Sequence, residues 1–429
     1  MKIAVIGAGI SGLSAAWLLQ RCGGHEVTVF ERNAYAGGHT NTVDVTLDGQ
    51  SHPVDTGFLV FNDRTYPNLI ALFDHLGVAS ADSDMSFSVR LSDSNGASRL
   101  EWSGSSLSSV FAQRSNLFRP AFLGMLADLA RFNRQTTALC ESGDIPGGTL
   151  GDFLDAYRYG AAFRDWYLRP MAGCIWSTPA QRIDAFPLHT FLTFCHNHGL
   201  LAVRNRPQWR TVIGGGREYV RRMLADLPDV RLDARIARVT RDAGGGATIA
   251  LEDQTAQRFA KVVFATHTDQ ALALLGDASA EERAVLAAIP YQHNRAVLHT
   301  DRRFLPQRER AWAAWNYHAP ADGGGGERPV VLSYLLNRLQ PLPFRKPVIV
   351  TLNPPFEPSP DAMLREFDYE HPVYCDASVA AQAALPAIQG VRDTWFCGAW
   401  TRFGFHEDGL LSGIAVARGF GIAPPWDRA

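Results

Sequence analysis

Residues 2–31 read KIAVIGAGISGLSAAWLLQRCGGHEVTVFE, and the order of signals within them decides the fold. Lys2–Ile6 is a short apolar run rich in β-branched residues, as expected of a parallel strand buried on both faces. Gly7-Ala8-Gly9-Ile10-Ser11-Gly12 follows in the spacing G-x-G-x-x-G, Leu13–Gln20 has helical composition, and His25–Glu31 alternates like a second strand that closes on an acid. Each position has a physical task. Gly7 permits the tight turn out of the strand, Gly9 lets backbone approach a pyrophosphate, and Gly12 lets the helix lie close on the sheet. The helix N-terminus offers unsatisfied N–H groups and a partial positive charge to the phosphates. Glu31 is placed to accept hydrogen bonds from a ribose diol. Together these signals predict a βαβ dinucleotide-binding unit.

Reading outward, Arg32–Thr42 is RNAYAGGHTNT, which sets Gly37-Gly38 and then His39-Thr40 soon after the acid. Far along the chain, Thr394–Ala417 reads TWFCGAWTRFGFHEDGLLSGIAVA. It holds an apolar strand (Trp395–Cys397), a Gly398-Ala399 turn, an aromatic-rich loop, and Asp408-Gly409-Leu410 opening a helix. A helix N-terminus at that point stabilises negative charge on a reduced ring system nearby.

The two ends together resemble the paired fingerprints of the amine oxidase–phytoene desaturase superfamily. The resemblance implies FAD, bound non-covalently, in an α/β fold: a Rossmann-like FAD-binding domain with a parallel sheet in three layers, and an interleaved α+β substrate-binding domain, amine-oxidase-like. It assigns cofactor contacts to Gly7, Ala8, Gly9, Ser11, Gly12, Glu31, Arg32, Gly37, Gly38, His39 and Thr40. It places Gly57 and Phe58, within VDTGFLVFN at 54–62, near the isoalloxazine. Ile236 would meet the adenine through its backbone, and Ala265 and Thr266 would lie under the cofactor at the end of KVVFAT. Gly398, Ala399, Asp408, Gly409 and Leu410 would close over the flavin.

Finer matches are similar to a narrower bacterial flavoprotein family: GGHTNTVDV, VDTGFLVFNDRTYPNLI, FATHTDQALALL, AWAAWNYH, NRLQPL, VTLNP, YEHPVY and FHEDGLLSG. Its members are commonly encoded beside fatty-acyl methyltransferases, and some desaturate or reduce methylated acyl chains. The resemblance therefore implies hydride transfer between flavin N5 and a C–H bond of an apolar substrate, foremost a methylated or unsaturated fatty acyl chain. It also implies a functional link to such a methyltransferase. Flavin amine oxidation, carotenoid- or porphyrin-type desaturation, and a non-catalytic flavin-binding scaffold are the alternatives. Many amine oxidases hold a water near N5 with a lysine. The chain has three lysines, Lys2, Lys261 and Lys346, and only the last is a candidate for that task.

The expected domain division is 1–77, 206–289 and 385–429 for the FAD-binding domain, and 78–205 and 290–384 for the substrate-binding domain. In the first, Pro67–Gly77 and Glu218–Ala225 read as helices, and Val230–Val239, Ala247–Leu251 and Lys261–Thr266 as strands. In the second, Met85–Leu91, Ala296–His299, Val330–Leu335 and Val348–Leu352 read as strands, Leu117–Arg134 and Gly151–Asp165 as helices, and Gly323–Gly326 as a surface loop. An acyl chain offers few polar handles, so its site should be an apolar tunnel with aromatic walls. Residues 172–177, 186–195, 312–317 and 400–405 are the candidate lining. Desaturation also needs a proton acceptor, and His406, Glu407 and Tyr317 are the candidates.

Composition narrows the function further. A net charge of −2 over 429 residues gives no field to gather nucleic acid. The six cysteines are scattered without a C-x-x-C pair, and His196 and His198 lack the i, i+4 spacing of a helical zinc site, so no metal site is expected. Reduced thiols, the immediate entry into a strand at Lys2 and the lack of any ~20-residue apolar run point to the cytoplasm. Leu117–Arg134, apolar with Arg119, Arg131 and Arg134 along it, reads as a helix buried in the substrate domain or, alternatively, as one that lies on an anionic lipid surface and gives peripheral contact at the inner membrane face.

Overall fold

Ile3 and Val5 pack to one side of a parallel sheet, and Ala4 and Ile6 to the other. Period-two alternation with both faces covered is why this strand is apolar throughout. In the computed structural model, which describes residues 1–201, 206–320 and 329–428, five strands form that sheet. Their order is Asp229–Arg231, Glu26–Phe30, Lys2–Ile6, Lys261–Phe264 and Thr394–Phe396, and every pairing is parallel. The expected Gly323–Gly326 loop lies outside the described residues.

One face of the sheet carries the helices Ile10–Trp17 and His406–Gly419, through Leu13, Ala16, Leu410 and Ile414. The other face carries a three-stranded antiparallel sheet (Ile236–Arg241, Ala247–Leu251, Ala256–Phe259) through Val239, Ile249 and Phe259. The result is three layers, helix on parallel sheet on antiparallel sheet, from chain segments hundreds of residues apart.

A seven-stranded sheet forms the second half, in the order Met363–Pro372, Tyr291–His299, Ile349–Leu352, Val331–Leu335, Trp315–Pro320, Phe87–Ser92 and Ser98–Ser103. Only the pairing of Trp315–Pro320 with Phe87–Ser92 is parallel. Val89, Leu91, Tyr317 and Leu332 pack from this sheet into a helical lobe built from residues 107–197. Ala296, Leu298, Val350 and Leu352 pack against the hairpin of Thr42–Leu47 and Gln50–Asp55.

Three local expectations are corrected. Val230–Val239 is two strands in two sheets, because Asp233 adopts a left-handed conformation (φ 51°) and turns the chain between them. Gly151–Asp165 is broken after Leu150–Ala156, where Arg158 is also left-handed (φ 52°). The helix expected at 117–134 runs over Pro120–Ser142. Proline is tolerated in its first turn, and Gly143 (φ 78°) ends it. Phe122, Met125 and Phe132 turn inward from this helix.

Candidate active site

Parallel strands bring their carboxyl ends to one edge, and that edge is where this fold collects its polar backbone. Gly7 follows Ile6, Glu31 follows Phe30, Ala265 follows Phe264, and Cys397-Gly398 follow Phe396. Four of the sequence-expected positions are thereby neighbours by topology alone.

The glycine turn is shaped by close approach. A Cβ at Gly12 would overlap the carbonyl oxygen of Gly7, and one at Gly7 would stand 2.7 Å from the carbonyl oxygen of Ala265. Gly9 is the exception: nothing lies within 4 Å of where its Cβ would be. No side chain caps the helix that starts at Ile10. Open space beside an uncapped helix N-terminus, with Ser11 and Gly12 in its first turn, fits the pyrophosphate of a dinucleotide. Gly37 donates its N–H to the Ala8 carbonyl at 2.8 Å, and Gly38 brings its own backbone against Gly9, so the second glycine pair walls the first. Glu31 is buried and accepts from the N–H groups of Ala8 and Asn33, both at 2.9 Å. A carboxylate has about four acceptor positions, so capacity for a ribose diol remains. Arg32 is exposed beside it, and Ile236 opens its antiparallel strand half-buried.

The C-terminal segment closes this edge by helix packing. A Cβ at Gly409 would stand 2.7 Å from Ile10 Cγ2, and one at Gly413 would stand 2.5 Å from the Ser11 carbonyl oxygen. The two helices can therefore approach only because those residues lack side chains. Gly398 donates to Ser412 Oγ at 2.9 Å, which ties the turn to the helix, with Ala399 next in the turn and Leu410 fully buried. The helix begins at His406, two residues before the expected Asp408-Gly409. Asp408 instead reaches back to the N–H of Phe405 at 3.0 Å, a cap on its own helix, and burial raises its carboxyl to about 6.

The three catalytic candidates separate. His406 joins the glycine edge: its ring stacks on Phe58 at 3.8 Å between centroids, and Nε2 lies 2.8 Å from the Tyr219 hydroxyl. That hydroxyl is 2.6 Å from Thr40 Oγ1. Burial lowers the His406 pKa to about 3, so the ring is neutral at physiological pH. Glu407 faces another way. Its carboxylate accepts from the N–H and Nδ2 of Asn68 and the N–H of Leu69, at 2.8–3.0 Å, and caps the helix Pro67–Leu76. Tyr317 sits in the aromatic lobe, where burial drives its hydroxyl pKa upward and keeps the proton on.

Beyond the residues singled out in the sequence, His267, Tyr369 and His371 gather around the expected His39. His39 stacks on Tyr369 (5.2 Å) with His371 at 5.3 Å and His267 at 6.4 Å. Its Nε2 is buried without a protein partner, an orphaned polar atom at the wall of the glycine cradle, where Gly57 packs against the His39 carbonyl. Burial holds His39 and His267 near 4 and His371 near 3. Tyr369 receives a hydrogen bond from Asn41 Nδ2 (3.0 Å) and lies 2.8 Å from Thr56 Oγ1. Thr266 turns its hydroxyl to the His267 carbonyl at 3.0 Å. The words FATHTDQ and YEHPVY carried these residues, but nothing local tells a wall histidine from a surface one.

Residues 172–177, 186–195 and Tyr317 enter one aromatic cluster, which Phe403 and Phe405 join from the C-terminal loop. Phe194 is its centre, 4.7 Å from Trp176, 4.9 Å from Phe405 and 5.9 Å from Phe403. Trp400 and Trp312 depart from the expected lining. The first packs in the core below the parallel sheet and the second in a separate small cluster. Tyr374, also unpredicted, places its buried hydroxyl against Gly404 with no protein partner. Among the described residues, no group of His, Cys, Asp or Glu is placed to hold a metal ion.

Residues 5–76 match the NAD(P)-binding Rossmann-like domain family. A curated relative, 4,4'-diapophytoene desaturase (4,4'-diaponeurosporene-forming) of Staphylococcus aureus (strain bovine RF122 / ET3-1), is 58% identical over 41 residues, which is 10% of this chain and 8% of that protein's length. Among solved structures, a triple mutant of putrescine oxidase superposes over 100% of this chain and 99% of its own, at TM-score 0.68 and 16% identity. The CLA-producing fatty acid isomerase from P. acnes superposes over 97% of this chain and 98% of its own, at TM-score 0.65 and 17% identity. The cradle, the closing helix and these likenesses agree: the chain has the fold of the amine oxidase/desaturase-like FAD superfamily.

Proposed function

We propose that the protein is an FAD-dependent oxidoreductase that moves a hydride between a C–H bond of an apolar substrate and the flavin, foremost on a methylated or unsaturated fatty acyl chain. One observation carries this reading. The segment leaving the last strand of the cofactor edge at Gly398 runs through Phe403 and Phe405 into the aromatic cluster, then returns at His406 to the cofactor wall. A dinucleotide edge and an aromatic cluster thus share one loop.

FAD, when bound, supplies the hydride acceptor or donor and can be bleached by a reducing substrate. The protein's own residues bind, orient and exclude water. Gly9 and the uncapped helix at Ile10 receive the phosphates. Glu31 takes the ribose with its remaining acceptor positions. The Thr40–Tyr219–His406 and Asn41–Tyr369–Thr56 hydrogen bonds hold the wall in place, with neutral His406 as a positioning residue. Phe194, Phe403, Phe405 and Trp176 make the cluster beside it apolar. Tyr374 offers the buried hydroxyl best placed to donate a hydrogen bond there. The division into 1–77, 206–289 and 385–429 against 78–205 and 290–384 follows the same reading. So does supply of the substrate by an acyl-chain methyltransferase.

Amine oxidation is the second reading, favoured by the likeness to putrescine oxidase. Against it, Lys346 pairs with Asp48 at 3.2 Å with both side chains exposed, Lys2 pairs with Glu26, and Lys261 pairs with Asp393. Each of the three lysines in the chain is thus committed to an ion pair.

The test is anaerobic. Purified holoprotein is mixed with methyl-branched or unsaturated acyl lipids, and separately with simple amines, and flavin colour and lipid products are followed. Bleaching or isomerised product with lipids alone is expected. Rapid bleaching by amines with no change in any lipid would overturn the reading.

A further inference from the structure

The stretch 107–123 leaves large apolar side chains in water. Leu107 is 81% exposed, Phe118 87%, Leu123 45% and Leu117 42%. They stand on a short helix (Leu107–Val110), a 3₁₀ turn (Arg114–Phe118) and the first turns of Pro120–Ser142. Scattered single exposures are normal, but four in seventeen residues of one lobe are a feature that asks for a partner. Their chain neighbours face the opposite way. Phe111 packs on Phe122 at 5.9 Å, Trp102 on Phe122 at 6.1 Å, and both Phe122 and Met125 are buried in the aromatic cluster. The exposed stretch is therefore backed by the aromatic cluster.

Charge names the occupant. From Trp102 to Ala127 the chain carries Arg114 and Arg119 and no Asp or Glu, although acids and bases nearly balance overall at −2. Arg114 is exposed. Exposed Leu and Phe beside arginines, in a stretch without acids, match an interface of anionic headgroups over acyl chains.

We infer that this tip, and not the length of the 120–142 helix, docks the protein on an anionic phospholipid bilayer, with Leu107 and Phe118 entering the acyl boundary and Arg114 and Arg119 at the headgroups. No helix among the described residues is long and apolar enough to cross a membrane, so the contact is one-sided. The inference stands apart from the acyl-chain chemistry, because binding to vesicles needs no turnover.

The experiment sediments holoprotein with phosphatidylcholine vesicles, with and without phosphatidylglycerol, across a salt series. Binding to the anionic vesicles that weakens with salt is expected. The variant L107S/F118S should bind about tenfold more weakly at unchanged melting temperature and flavin content. Should that variant fold poorly, Phe118→Trp serves instead: its emission should shift blue and be quenched by brominated acyl chains when anionic vesicles are added. Equal partition onto neutral and anionic vesicles, wild-type binding by L107S/F118S, or an unshifted Phe118→Trp emission would overturn it. Concentration-dependent dimerisation abolished by L107S/F118S, without vesicle binding, would reassign the patch to a second copy of the chain.

Discussion

The glycine edge and the aromatic lobe solve opposite problems. At the edge, shape comes from side chains that are missing: Gly12, Gly409 and Gly413 let two helices and a strand turn close up until backbone lines the cradle. In the lobe, shape comes from side chains that are present: Phe194, Trp176, Phe403 and Phe405 pack ring against ring. The edge should therefore fail by added atoms and the lobe by removed ones. The edge is also specified by position and the lobe by composition, and that makes the edge far easier to recognise.

The sharpest way to break this comparison is Gly12→Ala against Gly9→Ala. At Gly12 the new methyl meets the Gly7 carbonyl, so about 3 kcal/mol of stability should go, read by urea denaturation without cofactor. At Gly9 the methyl meets nothing, and the backbone (φ −73°) already suits alanine, so the cofactor-free protein should unfold as wild type. Its FAD affinity should still fall about tenfold or more, since the open space is where phosphate would lie. Equal effects at both positions would end the argument that Gly9 serves a ligand.

Glu407→Ala should come next. It removes the acceptor of three hydrogen bonds at the start of Pro67–Leu76, and about 2 kcal/mol of stability should follow. Glu407→Gln, which keeps one acceptor oxygen, should recover part of that loss and leave the pH profile of turnover unmoved. A profile that shifts with Glu407→Gln would restore Glu407 as a base.

Acid should then act through the buried histidines. The pKa of His406 is lowered to about 3 by burial, whereas in an unfolded chain it is near 6.5. The unfolded state therefore binds the extra proton as pH falls below about 6.5, and stability present above that pH is lost on acidification, by at most about 1.4 kcal/mol per pH unit for this group. His406→Gln should flatten the acid limb of a stability–pH curve between about pH 6 and 4. An unchanged limb would show that the ring is not held neutral by the wall.

Smallest of all, Lys346→Met should change stability by less than about 0.5 kcal/mol, as for an exposed pair, and leave turnover intact. Loss of turnover would revive the amine oxidase reading.

What was legible in the residues alone was local and positional. The run KIAVI, the three glycines, Glu31 and the Gly398–Leu410 segment announce themselves because backbone conformation and strand periodicity are written in neighbouring residues. Only the tertiary structure decided the rest. It split Val230–Val239 between two sheets at Asp233, turned Glu407 into a helix cap, and sent Trp400 and Trp312 to separate cores. It also gathered His39, His267, Tyr369 and His371 into one wall. Those outcomes depend on which distant segment a side chain meets, and that is set by long-range packing, which no window of adjacent residues contains.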